Sequence, residues 1–184
     1  MAAVRLPWAA DLLHFWFHEL RPDQWFGRNA HVDEGLRRRF GRTLAMLGTQ
    51  PARAFLGDPR VTQAAILLFD QVPRNLFRDD PRAFAYDRLA RAITHGALRQ
   101  GWDRRLARRE RQFLYMPLMH SEAIADQRLA LRRFTALDDS FALGFARAHY
   151  RMIARFGRFP HRNAVLGRRS TPAEIRAVAA GNAW

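Results

Sequence analysis

Apolar residues recur at intervals of three and four along nearly the whole chain, which is the spacing of amphipathic helices. Between Val32 and Gly48, for example, the repeating apolar residues are Leu36, Phe40, Leu44 and Leu47. No stretch alternates strictly between apolar and polar residues, so we expect no β-sheet. The pattern predicts an all-α protein of eight or nine antiparallel helices, which the chain stacks in layers.

Capping residues and prolines set the ends of the predicted helices. Asp58 and Pro59 form a start signal, because aspartate caps a helix and proline suits its first position. Asp80 and Pro81 repeat that signal, and Pro73 is expected to end the helix that Asp58 opens. The other predicted helices cover residues 8–20, 32–48, 51–56, 80–99, 109–118, 121–137 and 141–156, and a capping box of Thr171 and Glu174 starts the last one.

The length and the apolar content indicate one domain. The chain has 184 residues, 48% of them apolar. A chain of this length buries about two thirds of its unfolded surface. No linker divides it, so we predict a single all-helical domain over 1–184. Four aromatic residues near the N-terminus are expected in its core: Trp16, Phe17, Trp25 and Phe26.

The formal net charge is +14, and every cation is arginine. There are 31 Arg against 17 acidic residues, and the excess is greatest over residues 151–184. Arginine binds phosphate and carboxylate groups through a planar fork of donors, so nucleic acid and small anions are candidate partners. A solvated basic surface is the alternative, and no zinc finger or aromatic-basic strand favours nucleic acid.

Several classes of site and location are excluded by what the sequence lacks. It has no Cys, which rules out disulfides, zinc–thiolate sites, iron–sulfur clusters and a cysteine nucleophile. No apolar run reaches the roughly 18 residues of a membrane span, and the N-terminal segment is too short for a signal peptide. We therefore expect a soluble, cytoplasmic protein with no membrane partner, and nothing in the sequence requires a cofactor.

Two polar loops echo each other, at residues 72–78 and 159–168. Each places a proline first, then an arginine and an asparagine, then apolar residues and a second arginine. The echo is either chance or shared turn chemistry, since proline ends a helix and asparagine tolerates the backbone that follows.

Five motifs resemble one bacterial family. They are Phe-Trp-Phe at 15–17, Trp-Phe at 25–26, Leu-Leu-Phe-Asp-Gln-Val-Pro-Arg-Asn at 67–75, His-Ser-Glu at 120–122 with Asp-Gln at 126–127, and Arg-Phe-Gly-Arg-Phe-Pro-His-Arg-Asn at 155–163. Over nearly its whole length the chain is similar to the domain of unknown function 924 family. The resemblance implies an all-helical, tetratricopeptide-like fold, and it implies no activity. Val72 stands where an aromatic residue is common in that family.

His14 and His18 have the spacing of a metal-binding pair. They stand four residues apart on one helical face, as two histidine ligands of a metal do. No third ligand is evident in the sequence, so we predict no metal site and half-exposed side chains.

The segment from His120 to Asp126 is a candidate for acid–base chemistry. Glu122 and Asp126 are four residues apart, and like charges at that spacing repel unless a cation compensates them. With His120 and Ser121 just before it, Glu122 completes a candidate catalytic cluster of His120, Ser121 and Glu122. An ion-paired structural network is the alternative, because arginines are abundant. Ser121 is also the expected cap of the next helix.

Buried polar groups complete the candidate site. Asp70 follows an apolar run, so its carboxylate is expected to be partly buried and to need a partner, from Arg74 or from the loop at 157–170. His149 lies on an apolar stripe and is expected to point inward. The candidate ligand-binding residues are Asp70, Gln71, Arg74, Asn75, Asp126, His149, Arg158, His161, Arg162 and Asn163.

The loop at 157–170 is long for a compact helical domain, so it is either pinned by polar contacts or functional. If it is pinned, its side chains bind carboxylates such as Asp70 and Glu122. If it is functional, they line a polar cleft for an anionic small molecule or an acidic peptide. We favour a network with such a cleft at its edge, which requires Asp70, Glu122 and Arg162 to converge. A metal-independent hydrolase centred on 120–122 and nucleic-acid association through the C-terminal arginines are the alternatives.

Overall fold

The computed structural model describes residues 7–181, and within that span it contains eight α-helices and no β-strand. They are α1 (Pro7–His14), α2 (Ala30–Leu47), α3 (Pro59–Leu76), α4 (Asp87–Arg99), α5 (Arg108–Met119), α6 (Ile124–Thr135), α7 (Ser140–Phe156) and α8 (Pro172–Ala179). The predicted all-α fold is confirmed. No helix in this part of the chain is long and apolar enough to cross a membrane.

Side-chain caps start the helices where the sequence predicts them. The Asp58 carboxylate accepts hydrogen bonds of 2.9 Å from the backbone N–H groups of Arg60 and Val61 at the start of α3. At the start of α8 the Thr171 N–H donates to Glu174 at 2.7 Å, and the Glu174 N–H donates to the Thr171 hydroxyl at 3.3 Å. Both caps satisfy backbone donors that have no partner inside the helix.

The contacts between Cα atoms divide the chain into two compact units, the first ending at Leu114 and the second beginning at Tyr115. The single domain over 1–184 stays a prediction. In the first unit α3 packs against α1, α2 and α4, and every residue from 62 to 73 is buried. Helix α3 is therefore the central helix of this unit.

The prediction that Pro73 ends helix α3 is wrong. The helix continues to Leu76, and the Phe77 N–H donates to the Pro73 carbonyl at 2.9 Å. Proline has no N–H to give to the carbonyl of Phe69, four residues back, so the continuation has a local cost. The burial of α3 on all sides overrides that cost, because tertiary packing supplies most of the stability of helices in proteins.

Two other predicted helices are interrupted. The helix predicted over 8–20 is α-helical only as far as His14, the end of α1. It continues as one π-helical turn over Phe15–Glu19, where the Leu20 N–H donates to the Phe15 carbonyl at 3.0 Å. The segment predicted as one helix over 80–99 is divided into a 3₁₀ turn at Pro81–Phe84, which Asp80 caps, and α4, which begins at Asp87. The start signal at Asp80 is where the sequence predicts it, but it starts a 3₁₀ turn instead of the long helix.

Phe113 lies at the centre of an aromatic cluster in the first unit. Its ring meets those of Trp16, Phe17 and Trp25 edge-on, with centroids 5.5, 5.7 and 5.2 Å away. Trp16 and Trp25 are buried, as predicted. The prediction that Phe26 belongs to the core is wrong, because 52% of that residue is exposed. Its ring stacks on Phe113 from outside, at a centroid distance of 6.0 Å.

In the second unit α6 packs against α7, and α8 packs against a 3₁₀ turn at Pro160–Arg162. A small core of this unit consists of Met152, Ile153, Phe159 and Ala177. The loop at 157–170 therefore contributes a core residue, Phe159, as well as polar side chains.

Candidate functional site

The predicted site residues are divided between the two units. Asp70, Gln71, Arg74 and Asn75 lie on α3 in the first unit. The second unit holds the others, which are His120, Ser121, Glu122, Asp126, His149, Arg158, His161, Arg162 and Asn163. That all of them share one cleft stays a prediction, and each group is described by itself below.

Asp70 is completely buried on α3, where the sequence predicts partial burial, and its carboxylate lies beside Arg74, one of the predicted partners. One carboxylate oxygen accepts a 2.5 Å hydrogen bond from the Gln71 amide, and the other lies 3.5 Å from the Arg74 guanidinium. Arg74 also binds the Asp70 carbonyl at 2.6 Å and both oxygens of Asp87, at 2.8 and 3.0 Å. Burial acts to lower the pKa of Arg74, but the two carboxylates raise it. These residues form an ion-paired network inside the first unit.

The loop at 157–170 is pinned by two carboxylates of the second unit. Glu122 accepts a 2.9 Å hydrogen bond from the Phe159 N–H and is bound by Arg168 at 2.8 and 3.0 Å. Arg158 binds both oxygens of Glu174, at 2.6 and 2.9 Å. These contacts match the pinned form of the loop that the sequence analysis considered.

The same contacts change the acidity of both carboxyl groups. Burial acts to raise the pKa of Glu122, but the hydrogen bonds from Arg168 and the Phe159 N–H bring it below its ordinary value. The hydrogen bond from Arg158, followed by that from the Thr171 N–H, lowers the pKa of Glu174 to about 2. Both groups are therefore ionised at neutral pH and hold their arginines as charged partners.

Two imidazoles and one guanidinium contact the ring of Phe159, and a third imidazole lies beside one of them. The ring of His149 lies 5.3 Å from that of Phe159 and 6.1 Å from that of His120, between centroids. The ring of His161 lies 5.6 Å from Phe159, and the Arg162 guanidinium carbon lies 4.5 Å over the Phe159 ring. His149 is buried, as predicted. Its burial, and then the neighbouring charge of His120, lower its pKa to about 3, so His149 is neutral at pH 7.

The hydroxyl of Ser121 is used in a turn of the backbone. It donates to the Asp126 carboxylate at 2.7 Å and accepts from the Ala123 N–H at 3.1 Å. Ser121 therefore precedes α6 as a turn residue, whereas the residue at the cap position is Ala123. A serine nucleophile passes its one hydroxyl proton to a base, and here that proton points to Asp126. The catalytic cluster of His120, Ser121 and Glu122 stays a prediction.

The amide of Gln127 ties this turn together. Its Nε2 donates to the carbonyls of Met119 and Ser121, at 2.7 and 2.6 Å. Gln127 therefore stabilises the turn through hydrogen bonds to carbonyls six and eight residues earlier in the chain. Spacing rules do not reveal this role.

The side chains of His14 and His18 are exposed, and their rings stack with centroids 5.4 Å apart. Across residues 7–181 no group of three or more His, Asp or Glu side chains is placed to hold a metal ion.

A cleft that the sequence analysis did not anticipate lies in the first unit. It has a volume of about 520 Å³ and is formed by the start of α3, the start of α5 and the 3₁₀ turn Trp102–Arg105. We call it the α3–α5 cleft. The charged side chains on its walls are Arg60, Arg104, Arg105 and Glu110.

The four charges of the α3–α5 cleft are not evenly matched. Glu110 accepts a 2.8 Å bond from Arg60 and a 3.0 Å bond from the Ala107 N–H. Arg104 and Arg105 are exposed, and neither forms an ion pair or hydrogen bond with a side chain among residues 7–181. The walls therefore carry two positive charges that no neighbouring carboxylate compensates.

A local signal for this cleft is present in the sequence. Gly101 follows α4 with a φ of +67°, a left-handed conformation that glycine adopts without strain. The Trp-Asp-Arg-Arg sequence after it puts an aromatic and two cations into a short turn between two helices. The partners of this turn in the cleft, Pro59 and Arg60, are more than 40 residues away along the chain, so the local signal alone does not predict the cleft.

Comparison with known proteins supports the fold. The family model described as bacterial protein of unknown function (DUF924) matches residues 12–182. The solved structure of the protein of unknown function ATU0120 from Agrobacterium tumefaciens is 36% identical in sequence, covers 94% of this chain and 97% of its own, and has a TM-score of 0.88. No curated protein matches the sequence. The similarity extends over both units, and neither description states an activity.

Proposed function

The chain belongs to the bacterial protein family of unknown function DUF924. Because that family has no stated activity, we propose a function from the geometry of the chain itself: it binds a small anionic molecule in the α3–α5 cleft. The observation that carries the proposal is the charge of the cleft, which has three guanidinium groups and one carboxylate on its walls. A concave site lined by charges of one sign concentrates ligands of the opposite sign.

The state of Glu110 supports an anionic ligand. Its two oxygens already accept hydrogen bonds from Arg60 and from the Ala107 N–H. The ligand therefore meets Arg104 and Arg105 without competition from this carboxylate. Guanidinium groups bind phosphate and carboxylate through two parallel hydrogen bonds, which favours an anion with several oxygens.

The start of helix α3 offers no free amides to a ligand. The first N–H groups of α3 donate to the Asp58 side chain, so they are not available to a ligand. Binding therefore depends on the arginine side chains, and their removal is a direct test of the site.

The dimensions of the cleft favour a small molecule over an acidic peptide. Its volume of about 520 Å³ lies in the range of small-molecule sites, roughly 300–1,000 Å³. The alternative position for an anion, the loop at 157–170, has Arg158 and Arg168 already bound to Glu174 and Glu122. Those two guanidiniums are therefore already used in structural ion pairs, which leaves them less suited to bind an anion.

Thermal unfolding of the full chain tests the proposal. With inorganic pyrophosphate, compared with potassium chloride at equal ionic strength, we expect a higher melting temperature. A ligand at a hundred times its Kd adds about 2.7 kcal/mol to the free energy of unfolding. The double variant Arg104→Ala/Arg105→Ala should lose this response.

The matched control removes two exposed arginines on α6, Arg128→Ala/Arg132→Ala, and should keep the response. The proposal would be overturned if potassium chloride raised the melting temperature as much as pyrophosphate does. It would also be overturned if pyrophosphate raised the melting temperature of the Arg104/Arg105 double variant as much as that of the wild-type chain. Circular dichroism of both variants shows that each retains its helices.

A further inference from the structure

We propose that the α3–α5 cleft selects an anion carried on a flat aromatic ring, with the ring stacked on Trp102 and its phosphate bound by Arg105. Nucleoside monophosphates are ligands of this class. The inference rests on the proposed function, because it assumes that the cleft binds anions, and it adds the chemistry of the rest of the ligand.

The size of the cleft leaves room for a ligand larger than the anion. A volume of about 520 Å³ equals roughly seventeen water molecules, at about 30 Å³ each in the liquid. A phosphate group has five heavy atoms and fills a small part of that space. The remainder is available to the body of the ligand.

The uncharged walls suit an apolar, flat body. Trp102, Pro59 and Leu106 line the cleft beside the arginines. Trp102 is half-buried, so part of its indole is accessible within the cleft. Aromatic side chains stack on the faces of bases and other rings, and the stacking tolerates different ring types.

The 3₁₀ turn Trp102–Arg105 places the aromatic and one cation on the same side. A 3₁₀ helix has three residues per turn, so side chains three positions apart are eclipsed. Trp102 and Arg105 are three positions apart in such a turn, and both line the cleft. One ligand can therefore meet the indole with its ring and the guanidinium with its phosphate.

The backbone of the turn is ordered before any ligand binds. The Gly101 N–H donates to the Leu98 carbonyl at 3.1 Å, the Arg104 N–H to the Gly101 carbonyl at 3.3 Å, and the Leu106 N–H to the Asp103 carbonyl at 3.3 Å. Asp103 is itself buried, which anchors the middle of the turn. A site that is ordered in advance loses less entropy when the ligand binds.

Calorimetric titration of the full chain with four probes tests the inference. The probes are adenosine monophosphate, ribose 5-phosphate, phenyl phosphate and inorganic phosphate. We expect adenosine monophosphate to bind about ten-fold or more tightly than ribose 5-phosphate, which has the same sugar phosphate and no aromatic base. Phenyl phosphate should lie between them, because its ring is smaller.

Variants of the turn separate the two parts of the ligand. Trp102→Leu should reduce the affinity for adenosine monophosphate to that for ribose 5-phosphate, and Trp102→Phe should keep a preference for the ring. Arg105→Ala should weaken the binding of both adenosine monophosphate and ribose 5-phosphate. Phe141→Leu is the matched control, because it changes an aromatic residue that is 67% exposed on α7. It should change neither the affinity for adenosine monophosphate nor that for ribose 5-phosphate.

The outcomes distinguish this inference from the proposed function. Equal affinities for adenosine monophosphate and ribose 5-phosphate in the wild-type chain would overturn the inference and leave anion binding intact. A preference for the ring that survives in Trp102→Leu would also overturn it. If none of the four probes binds while pyrophosphate still raises the melting temperature, the inference is wrong and the proposed function stands. If pyrophosphate has no effect either, both are wrong.

Discussion

The backbone N–H of Phe159 donates a 2.9 Å hydrogen bond to the side chain of Glu122, which stands 37 residues earlier in the chain. Arg168, from the far end of the same loop, binds both oxygens of that carboxylate. A single acidic side chain thus holds both ends of a loop against the start of α6. Phe159 is a core residue of the second unit, so this attachment also positions part of the core.

Glu122→Gln tests the attachment. The amide oxygen still accepts from the Phe159 N–H, but the charge that pairs with Arg168 is gone. We expect a loss of about 1 kcal/mol in the free energy of unfolding, because the pair is partly exposed and solvent screens it. Urea denaturation measures this loss.

A double-mutant cycle with Arg168→Gln isolates the contribution of the pair. The cycle should give a coupling of the same sign and similar size. Additive effects of the two substitutions would contradict the pinned loop. If Glu122→Gln abolished an enzymatic turnover while retaining the fold, the catalytic prediction for 120–122 would gain support.

Acid should weaken the second unit through Glu174. Its pKa in the folded chain is lowered to about 2, whereas an unfolded glutamate titrates near 4.3. The carboxylate therefore stabilises the fold fully above about pH 4.3, and this contribution is lost as the pH falls toward 2. The melting temperature of the wild-type chain between pH 5 and pH 2.5 should fall more steeply than that of Glu174→Gln. Parallel curves would contradict the prediction.

His149 should make stability depend on pH in a higher window. Its pKa is lowered to about 3 by burial and by His120, with smaller effects of Arg162 and His161, and the Phe145 carbonyl acts in the opposite direction. In the unfolded chain the ring takes up a proton near pH 6.5, while the folded chain excludes it. Stability is therefore complete above pH 6.5 and is lost as the pH falls toward 3, at up to about 1.4 kcal/mol per pH unit.

The variant His149→Gln removes this titration and leaves the other histidines in place. Between pH 7.5 and pH 5 it should lose less stability than the wild-type chain, as measured by urea denaturation at each pH. Identical losses in both proteins would show that His149 takes up its proton in the folded state.

The caps show what the sequence alone could predict. Asp58 before Pro59, and Thr171 with Glu174, are local signals within four residues, and the structure has helix starts at both. Pro73 is also a local signal, but it fails because α3 is buried on all sides. Proline does disfavour a helix interior, but the packing that overrides this preference depends on distant residues and leaves no local signal.

The candidate site was predictable in its composition and not in its arrangement. Asp70 and Arg74 have helical spacing, but a helix that ended at Pro73 would not bring them together, so the sequence alone leaves the loop at 157–170 as an equal candidate. The partner of Glu122 was one of several loop residues, and only the fold selects Arg168. The α3–α5 cleft joins Arg60 to Arg105 across 45 positions, a distance at which spacing rules carry no information.

Two helical glycines should respond in opposite directions to alanine. A Cβ at Gly96 of α4 would lie 2.7 Å from a methyl carbon of Leu56 and 3.1 Å from its Cγ, so that side chain must move. A Cβ at Gly144 of α7 would meet nothing within 4 Å. We expect Gly96→Ala to cost about 1 kcal/mol through overpacking, and Gly144→Ala to add about 0.5–1 kcal/mol through helix propensity. Thermal unfolding of the pair measures both, and a gain at Gly96 would contradict the close approach of α4 and Leu56.

Two buried glutamines offer a stricter test of the polar contacts, because the same substitution should have opposite effects at the two positions. Gln63 on α3 is 1% exposed, and neither its amide nitrogen nor its oxygen has a hydrogen-bond partner among residues 7–181. A buried polar group in that state costs about 1–3 kcal/mol. Gln63→Met has a similar volume and removes the cost, so it should raise the free energy of unfolding.

Gln127 is completely buried as well, and its oxygen has no partner among residues 7–181, but its nitrogen donates to the carbonyls of Met119 and Ser121. Gln127→Met relieves the oxygen but leaves two carbonyls without that donor, so the net effect should be a loss of about 1 kcal/mol in the free energy of unfolding. Urea denaturation of both variants gives the comparison directly. A loss at Gln63 as large as that at Gln127 would contradict the prediction and mean that the Gln63 amide is satisfied in solution.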